Sequence, residues 1–278
     1  MAKHAVDDFV LRPFEGLPSE ADWVAMREIV PSALGHAKTV KAHGSKAVSV
    51  VTILPGGFAA MHRPDGQILL ALQAVPSAGD LSRALAAVLL EALDAEPGTA
   101  IPAIPEEDDT PRLQDLLDLS VDFAMEVQQG YDYWLDAGAE RTRDVEESLA
   151  EAADGTIPTV QLTSVDHAFW CSMNNEFLRW VRTEDEDAVV NAIARLHAKR
   201  ESALVFDGGE GRFLGMFRAA GLVVPVWQLP PGTEASDVEK PAAALAVKLD
   251  KALAVKGDLD ANERRARAGI VSRQVTLR

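Results

Sequence analysis

Apolar residues recur in this chain at two spacings: alternate positions in short runs, and every third or fourth position in longer ones. Residues 47–54, Ala-Val-Ser-Val-Val-Thr-Ile-Leu, are rich in β-branched side chains and predict a strand, as do residues 37–42 before them. Pro55, Gly56 and Gly57 break the run. Pro64, Asp65 and Gly66 then supply the fixed φ and the glycine of a tight turn, so 59–63 and 67–74 read as a hairpin. From Leu81 the period changes. Leu81, Leu85, Val88, Leu89 and Ala92 form one stripe, with Asp80 as cap and Pro97-Gly98 as stop, which predicts a helix. A shorter helix over 20–30 opens the chain, with Ser19 as its expected N-cap and Trp23, Met26 and Val30 on one side.

Hairpin followed by helix is a plan the chain repeats. Strands at 121–127 and 131–135 precede a helix over 143–153, whose Val145, Leu149 and Ala152 share a face. After a strand at 158–163, strands at 167–173 and 176–182 turn at Asn174-Asn175, and a capping box of Thr183 and Glu186 starts the next helix. Strands at 212–218 and 222–229 lead to a helix reaching about residue 254, with Ser236 and Glu239 as its expected capping box or a restart at Pro241. Pro225 cannot donate to a ladder, so its strand is expected at an edge or a bulge. The unit thus occurs four times, at 58–95, 120–153, 167–199 and 212–254. Each hairpin has a face to bury and the next helix is its nearest cover. This points to an α+β fold of antiparallel sheets with helices on one face.

At 278 residues the chain is long enough for two domains. Residues 98–112 carry three prolines and the acidic run Glu106-Glu107-Asp108-Asp109, and read as a connector. The expected organisation is an α+β domain over 1–100, an acidic proline-rich linker over 101–112, a second α+β domain over 113–256 and a basic tail over 257–278. Helix, three strands, helix, two strands, helix in the second half resembles the element order of type III secretion chaperones. The first half approximates it with one extra strand.

Charge narrows the partners. Acidic residues outnumber basic ones 43 to 27, and a net charge of −16 repels nucleic acid and anionic lipid. The exception is the C-terminus, where Arg264, Arg265, Arg267, Arg273 and Arg278 stand without an acid among them. No apolar run approaches the roughly 18 residues of a membrane span, and the first residues lack the apolar stretch of a secretory leader. A cytoplasmic location without membrane insertion is expected. The single cysteine excludes an internal disulfide and a cysteine-based zinc site, in keeping with a reducing compartment.

Candidate chemistry is sparse. Asp166, His167 and Cys171 lie together, but positions four apart on a strand are about 13 Å apart, too far for a direct dyad. A small core residue is the default for Cys171. His36, His43 and His62 lack the spacing of a zinc site, so neither metal nor cofactor is expected. The Asp-Gly-Gly-Glu-Gly run at 207–211 has no following Lys-Ser/Thr, and no P-loop occurs elsewhere. Trp134, Trp170, Trp180 and Trp227 all fall in predicted hairpins. Facing inward they are core; facing outward they make an aromatic surface for a partner. The basic tail has three uses open to it: docking on the acidic body, binding an acidic partner, or contacting RNA.

Four stretches carry a resemblance: RPFEGLPSEADWVAMREIVP at 12–31, LTSVDHAFWC at 162–171, GRFLGMFRAAGLVVPVWQLPPGT at 211–233 and ERRARAGIVSRQVTLR at 263–278. With them the chain resembles an uncharacterised actinobacterial family, a domain of unknown function of about 300 residues. Some of its members carry the labels preprotein translocase or topoisomerase, which the missing nucleotide motif opposes. The resemblance implies no catalytic residue. The expected function is a non-catalytic, chaperone-like binding or adaptor protein, meeting a protein partner through the four tryptophans or through Arg264, Arg265, Arg267 and Arg273. The alternatives are an enzyme with a site near Asp166, His167 and Cys171, and a ribosome- or RNA-associated factor working through the tail.

Overall fold

Strands and helices alternate as the spacing predicts, and among the described residues the strands collect into two six-stranded sheets. The computed structural model describes residues 9–272 apart from 77, 78, 106–108, 137 and 139. It divides into two compact units, Met1–Thr156 and Ile157–Arg278. The fold is α+β.

The first unit runs α1 (Glu20–Glu28), β1 (Ala33–Lys38), β2 (Ala47–Val51), β3 (Ala60–His62), β4 (Ile68–Ala71), α2 (Leu81–Asp94), β5 (Thr99–Ile101), α3 (Leu113–Leu116), β6 (Met125–Val127) and α4 (Arg143–Ala153). Its sheet has the order β5-β3-β4-β2-β1-β6, antiparallel except for the parallel pair of β2 and β4. Helix α2 forms as expected: the Asp80 carboxylate accepts from the Ser82 N–H at 3.0 Å, and Leu85, Val88 and Leu89 are buried. At α1, Ser19 holds the cap position with φ at 52°, but its hydroxyl caps nothing. The Trp23 indole ties that turn instead, donating to the Pro18 carbonyl at 3.0 Å.

The expected boundary at 101–112 falls inside this unit. Ile101 pairs with Ala60 on β3, and the Arg112 guanidinium reaches Asp80 at 2.8 Å, so the segment's two ends are tied to the sheet and to the cap of α2. The hairpin expected over 120–135 does not form either. Strand β6 pairs with β1, while residues 132–134 make a single 3-10 turn. Gly35 explains the pairing, because a Cβ there would lie 2.5 Å from Phe123, and its absence lets that ring settle against β1.

The second unit runs β7 (Thr159–Gln161), β8 (Ala168–Ser172), β9 (Glu176–Trp180), α5 (Glu186–Ala198), β10 (Leu204–Phe206), β11 (Gly209–Ala219), β12 (Leu222–Gln228), α6 (Ala235–Leu253) and α7 (Ala261–Ser272). Its sheet is antiparallel throughout, in the order β10-β11-β12-β9-β8-β7. Ala168, Trp170, Leu178, Trp180 and Trp227 share a core with the three helices. The hairpin-then-helix plan holds at 58–95, 167–199 and 212–254 and fails at 120–153. The extra strand β10 and the second terminal helix depart from the order of secretion chaperones.

Two local expectations shift by a residue or two. Asp185, not Thr183, caps α5, its carboxylate accepting from Ala188 N–H at 3.0 Å. Glu234 with Asp237 forms the box at α6, which continues through Pro241 without restarting. Pro225 lies on β12, an inner strand between β11 and β9, and not at an edge. The Arg182 N–H donates to the Val223 carbonyl, so Val223 and Pro225 turn their backbone toward the β9 side, where regular pairing begins only at Val226. The proline therefore withholds no bond from β11. A register irregularity between Phe213 and Gly215 sits beside it on that strand.

Candidate functional site

His167 is left-handed, with φ at 57°, so β8 starts one residue after it. The Trp180 indole donates to the Asp166 carbonyl and the Val181 N–H to the His167 carbonyl, both at 2.9 Å. These bonds hold the two residues at a cavity of about 370 Å³ that Arg182, Glu184 and Asp250 also line. Arg182 lies over the Trp180 ring, 4.8 Å from its centroid, and donates from Nε to Glu184 at 3.0 Å. Three acidic residues, one arginine and one histidine thus line one cavity.

Cys171 does not join them. Ala168 and Trp170 turn into the helix-covered core, and the alternation of a strand sends Phe169 and Cys171 to the opposite face. There the buried thiol lies beside Arg179 on β9. Burial pushes the Cys171 thiol up, with the Arg179 charge acting in the opposite direction without overcoming it. Burial likewise lowers Arg179, which is 8% exposed. Its Nε and Nη2 find no hydrogen-bond partner among the described residues. A neutral, enclosed thiol is a poor nucleophile, so the catalytic grouping of Asp166, His167 and Cys171 does not assemble.

The tryptophans face inward. Trp170, Trp180 and Trp227 are buried, and their indoles donate to the carbonyls of Thr233, Asp166 and Ser202. Trp134 is half-buried, stacks on Tyr131 at 4.5 Å and donates to the Ile53 carbonyl. The aromatic partner surface expected as one option is not what this arrangement presents. The described part of the basic tail is helix α7, packed on α5. Arg267 donates to Asn191 at 2.9 Å and to Asp187 at 2.5 Å, and Ile270 is buried. Arg264 and Arg265 stay exposed, bonded to the Leu259 carbonyl and to the Asn262 side chain. Arg273 lies outside the described residues.

Helices α4 and α7 bury less than the other long helices, α7 only Ile270. Thr142 caps α4, its hydroxyl accepting from Val145 N–H at 3.4 Å, and Val145, Leu149 and Ala152 fall on one side as the spacing predicts. Yet none of its 11 residues is buried, whereas α1, α2, α5 and α6 each bury six or more. The stripe is the half-buried side of the helix, and none of it is fully covered.

A family model matches residues 13–278, described as a family of unknown function, DUF5926. The chain belongs to that family. No curated protein and no solved structure matches it. For this DUF5926 chain the functional reading therefore rests on its own surface. The signal for α4 was visible in the sequence, since four of its 11 residues are Asp or Glu, and Val145 and Leu149 are its only apolar residues larger than alanine. That composition suits a helix whose apolar strip is too narrow to form part of a core.

Proposed function

We propose that this chain is a non-catalytic, cytoplasmic adaptor that works by presenting α4 to a protein partner. The observation carrying this reading is that α4 fully buries none of its 11 residues and leaves its apolar positions Val145, Leu149 and Ala152 only half-buried. A helix of 11 residues is marginal in water on its own, and an amphipathic helix laying its apolar side in another protein's groove is a common recognition mode. The absence of any helix long and apolar enough to cross a membrane, among the described residues, fits this reading. The tail contributes less, because Arg267 is committed to Asp187.

The test is a pair of serine substitutions, Val145→Ser with Leu149→Ser, in the full chain expressed at its native level. The expected result is an unchanged unfolding midpoint with loss of the partner that copurifies with the unaltered chain. An identical set of copurifying proteins from both chains would refute the reading, as would a large fall in stability.

A further inference from the structure

Arg195 on α5 is a buried cation without a counter-charge. It is 7% exposed, and its Nη2 donates to the Gly257 carbonyl at 2.6 Å. Among the described residues that is its one hydrogen bond, and no carboxylate pairs with it. A guanidinium carries five N–H donors, and burying such a charge is costly unless a partner takes it up. The side chain lines a cavity of about 840 Å³ between α5, the connector 254–260 and α7. Lys256, Arg264 and Arg267 line it too, with Asp185, Asp187 and Asp258. Two of these acids are already engaged. Asp187 accepts from Arg267, and Asp185 caps α5 through the Ala188 N–H. Asp260 acts on Arg264 from outside the cavity lining, and it is held by the Asn262 and Glu263 N–H groups at 2.7 and 2.8 Å. Lys256 and Arg264 form no ion pair among the described residues. In a chain of net charge −16, Arg195, Lys256 and Arg264 therefore share one cavity in which Asp258 is the uncommitted acid.

From this we propose that the cavity binds a phosphate group, free or carried by a small molecule, with Arg195 as its anchor. The planar guanidinium fork suits two oxygens of one phosphate. A phosphate monoester carries close to two negative charges near neutral pH, which three cations can take up and a single carboxylate does not match. The volume lies within the roughly 300–1,000 Å³ of small-molecule sites. Leu253, Val255 and Leu259 give it apolar surface for an attached group. A nucleic-acid strand would have to cross the acidic surface around the cavity and is repelled by it. This inference is independent of the adaptor reading.

The experiment titrates the isotope-labelled full chain with sodium phosphate and, separately, with phenyl phosphate, at an ionic strength held constant with sodium chloride, and follows the backbone amides by NMR. Saturable shifts are expected at Gly257 and Asp258 and not on β7, at the far edge of the sheet. Arg195→Lys keeps the charge and removes the fork, and should weaken both ligands about tenfold or more. Lys256→Gln and Arg264→Gln stand at exposed positions where folding is little affected, and each should weaken binding about twofold to fivefold. Arg265→Gln, exposed on the same helix but outside the cavity lining, should leave it unchanged. Tighter binding of phenyl phosphate than of phosphate identifies a phosphorylated organic molecule as the ligand, and equal affinity identifies phosphate itself. No saturable shift with either ligand in the millimolar range overturns the proposal. An equal response of all four variants overturns it as well, since that marks an adventitious ion only. Should Arg195→Lys fail to fold, the two exposed variants set against Arg265→Gln decide in its place.

Discussion

Arg179 offers a direct test of how the second sheet is held together. It sits in the middle of β9, paired with Phe169 on one side and Val226 on the other, and is 8% exposed with two nitrogens lacking any hydrogen-bond partner among the described residues. Each unsatisfied buried donor costs about 1–3 kcal/mol. A methionine fills much the same space without donors, and the repacking costs less than about 1.5 kcal/mol. Arg179→Met should therefore stabilise the protein by about 1–4 kcal/mol, within the range seen when buried charges give way to apolar side chains. In a unit of this size that is a rise in melting temperature of roughly 4 °C per kcal/mol. Thermal unfolding and a urea titration, with the slope of the latter unchanged, measure it. Arg179→Ala should fall below Arg179→Met, because it leaves a void. A drop of more than about 1 kcal/mol in Arg179→Met would mean that an anion or carbonyl engages the guanidinium, and the account of an orphaned charge would be wrong.

Other outcomes follow from the same geometry. Cys171 is buried and its thiol is pushed up by that burial, so a thiol reagent such as dithionitrobenzoate should react negligibly with the folded chain near neutral pH and with one thiol per chain after denaturation. Fast labelling of the native protein would contradict the placement. Glu239 is subject to desolvation that acts upward, but hydrogen bonds from Ser164 and Thr163 outweigh it and its carboxyl sits below the usual range. Because the folded value is depressed, its contribution is present above the unfolded pKa of about 4.3 and is lost as pH falls through the folded value. The protection of the 163 and 164 amides, taken relative to the intrinsic exchange rate at each pH, should fall on acidification, and Glu239→Gln should flatten that dependence. At α7, Ile270→Ala removes a buried side chain and should cost about 2–4 kcal/mol, whereas Arg267→Ala breaks a part-exposed pair and should cost less than about 1 kcal/mol. Equal losses would show that charge and not burial docks the helix.

What was legible in the sequence is what a dozen neighbouring residues decide. The stripe and cap of α2 lie wholly within 80–94, and the turn at Asn174-Asn175 closes its own hairpin, so both could be read directly. Caps slipped by one or two positions because several side chains competed for each, Thr183 against Asp185 and Ser236 against Glu234. Strand pairing was hidden, since nothing within 121–127 tells that its partner is β1 and not the segment ahead. The three residues of β10 are too few to show a period. Strand spacing alone separated His167 from Cys171, but Arg179, which sets the surroundings of that thiol, came from a neighbouring strand. The tryptophans could be assigned to hairpins without showing which face they took.

Helices α2 and α4 sharpen the point, because their apolar positions recur with the same spacing. Such a pattern states that a face needs cover without stating where the cover comes from. For α2 it comes from β3 and β4 within the chain, and Leu89 is fully buried. For α4 no residue is fully buried, and the apolar positions are half-buried. Cover from within contributes to folding, while cover from outside contributes to binding, so the same truncation should report differently at the two places. Leu89→Ala should cost about 2–5 kcal/mol of stability. Leu149→Ala, at a half-buried position, should cost less, about 1 kcal/mol or below, and register more strongly when the partner is present. If the two truncations cost the same in the isolated protein, α4 is covered from within, and its stripe belongs to the fold and not to a binding surface.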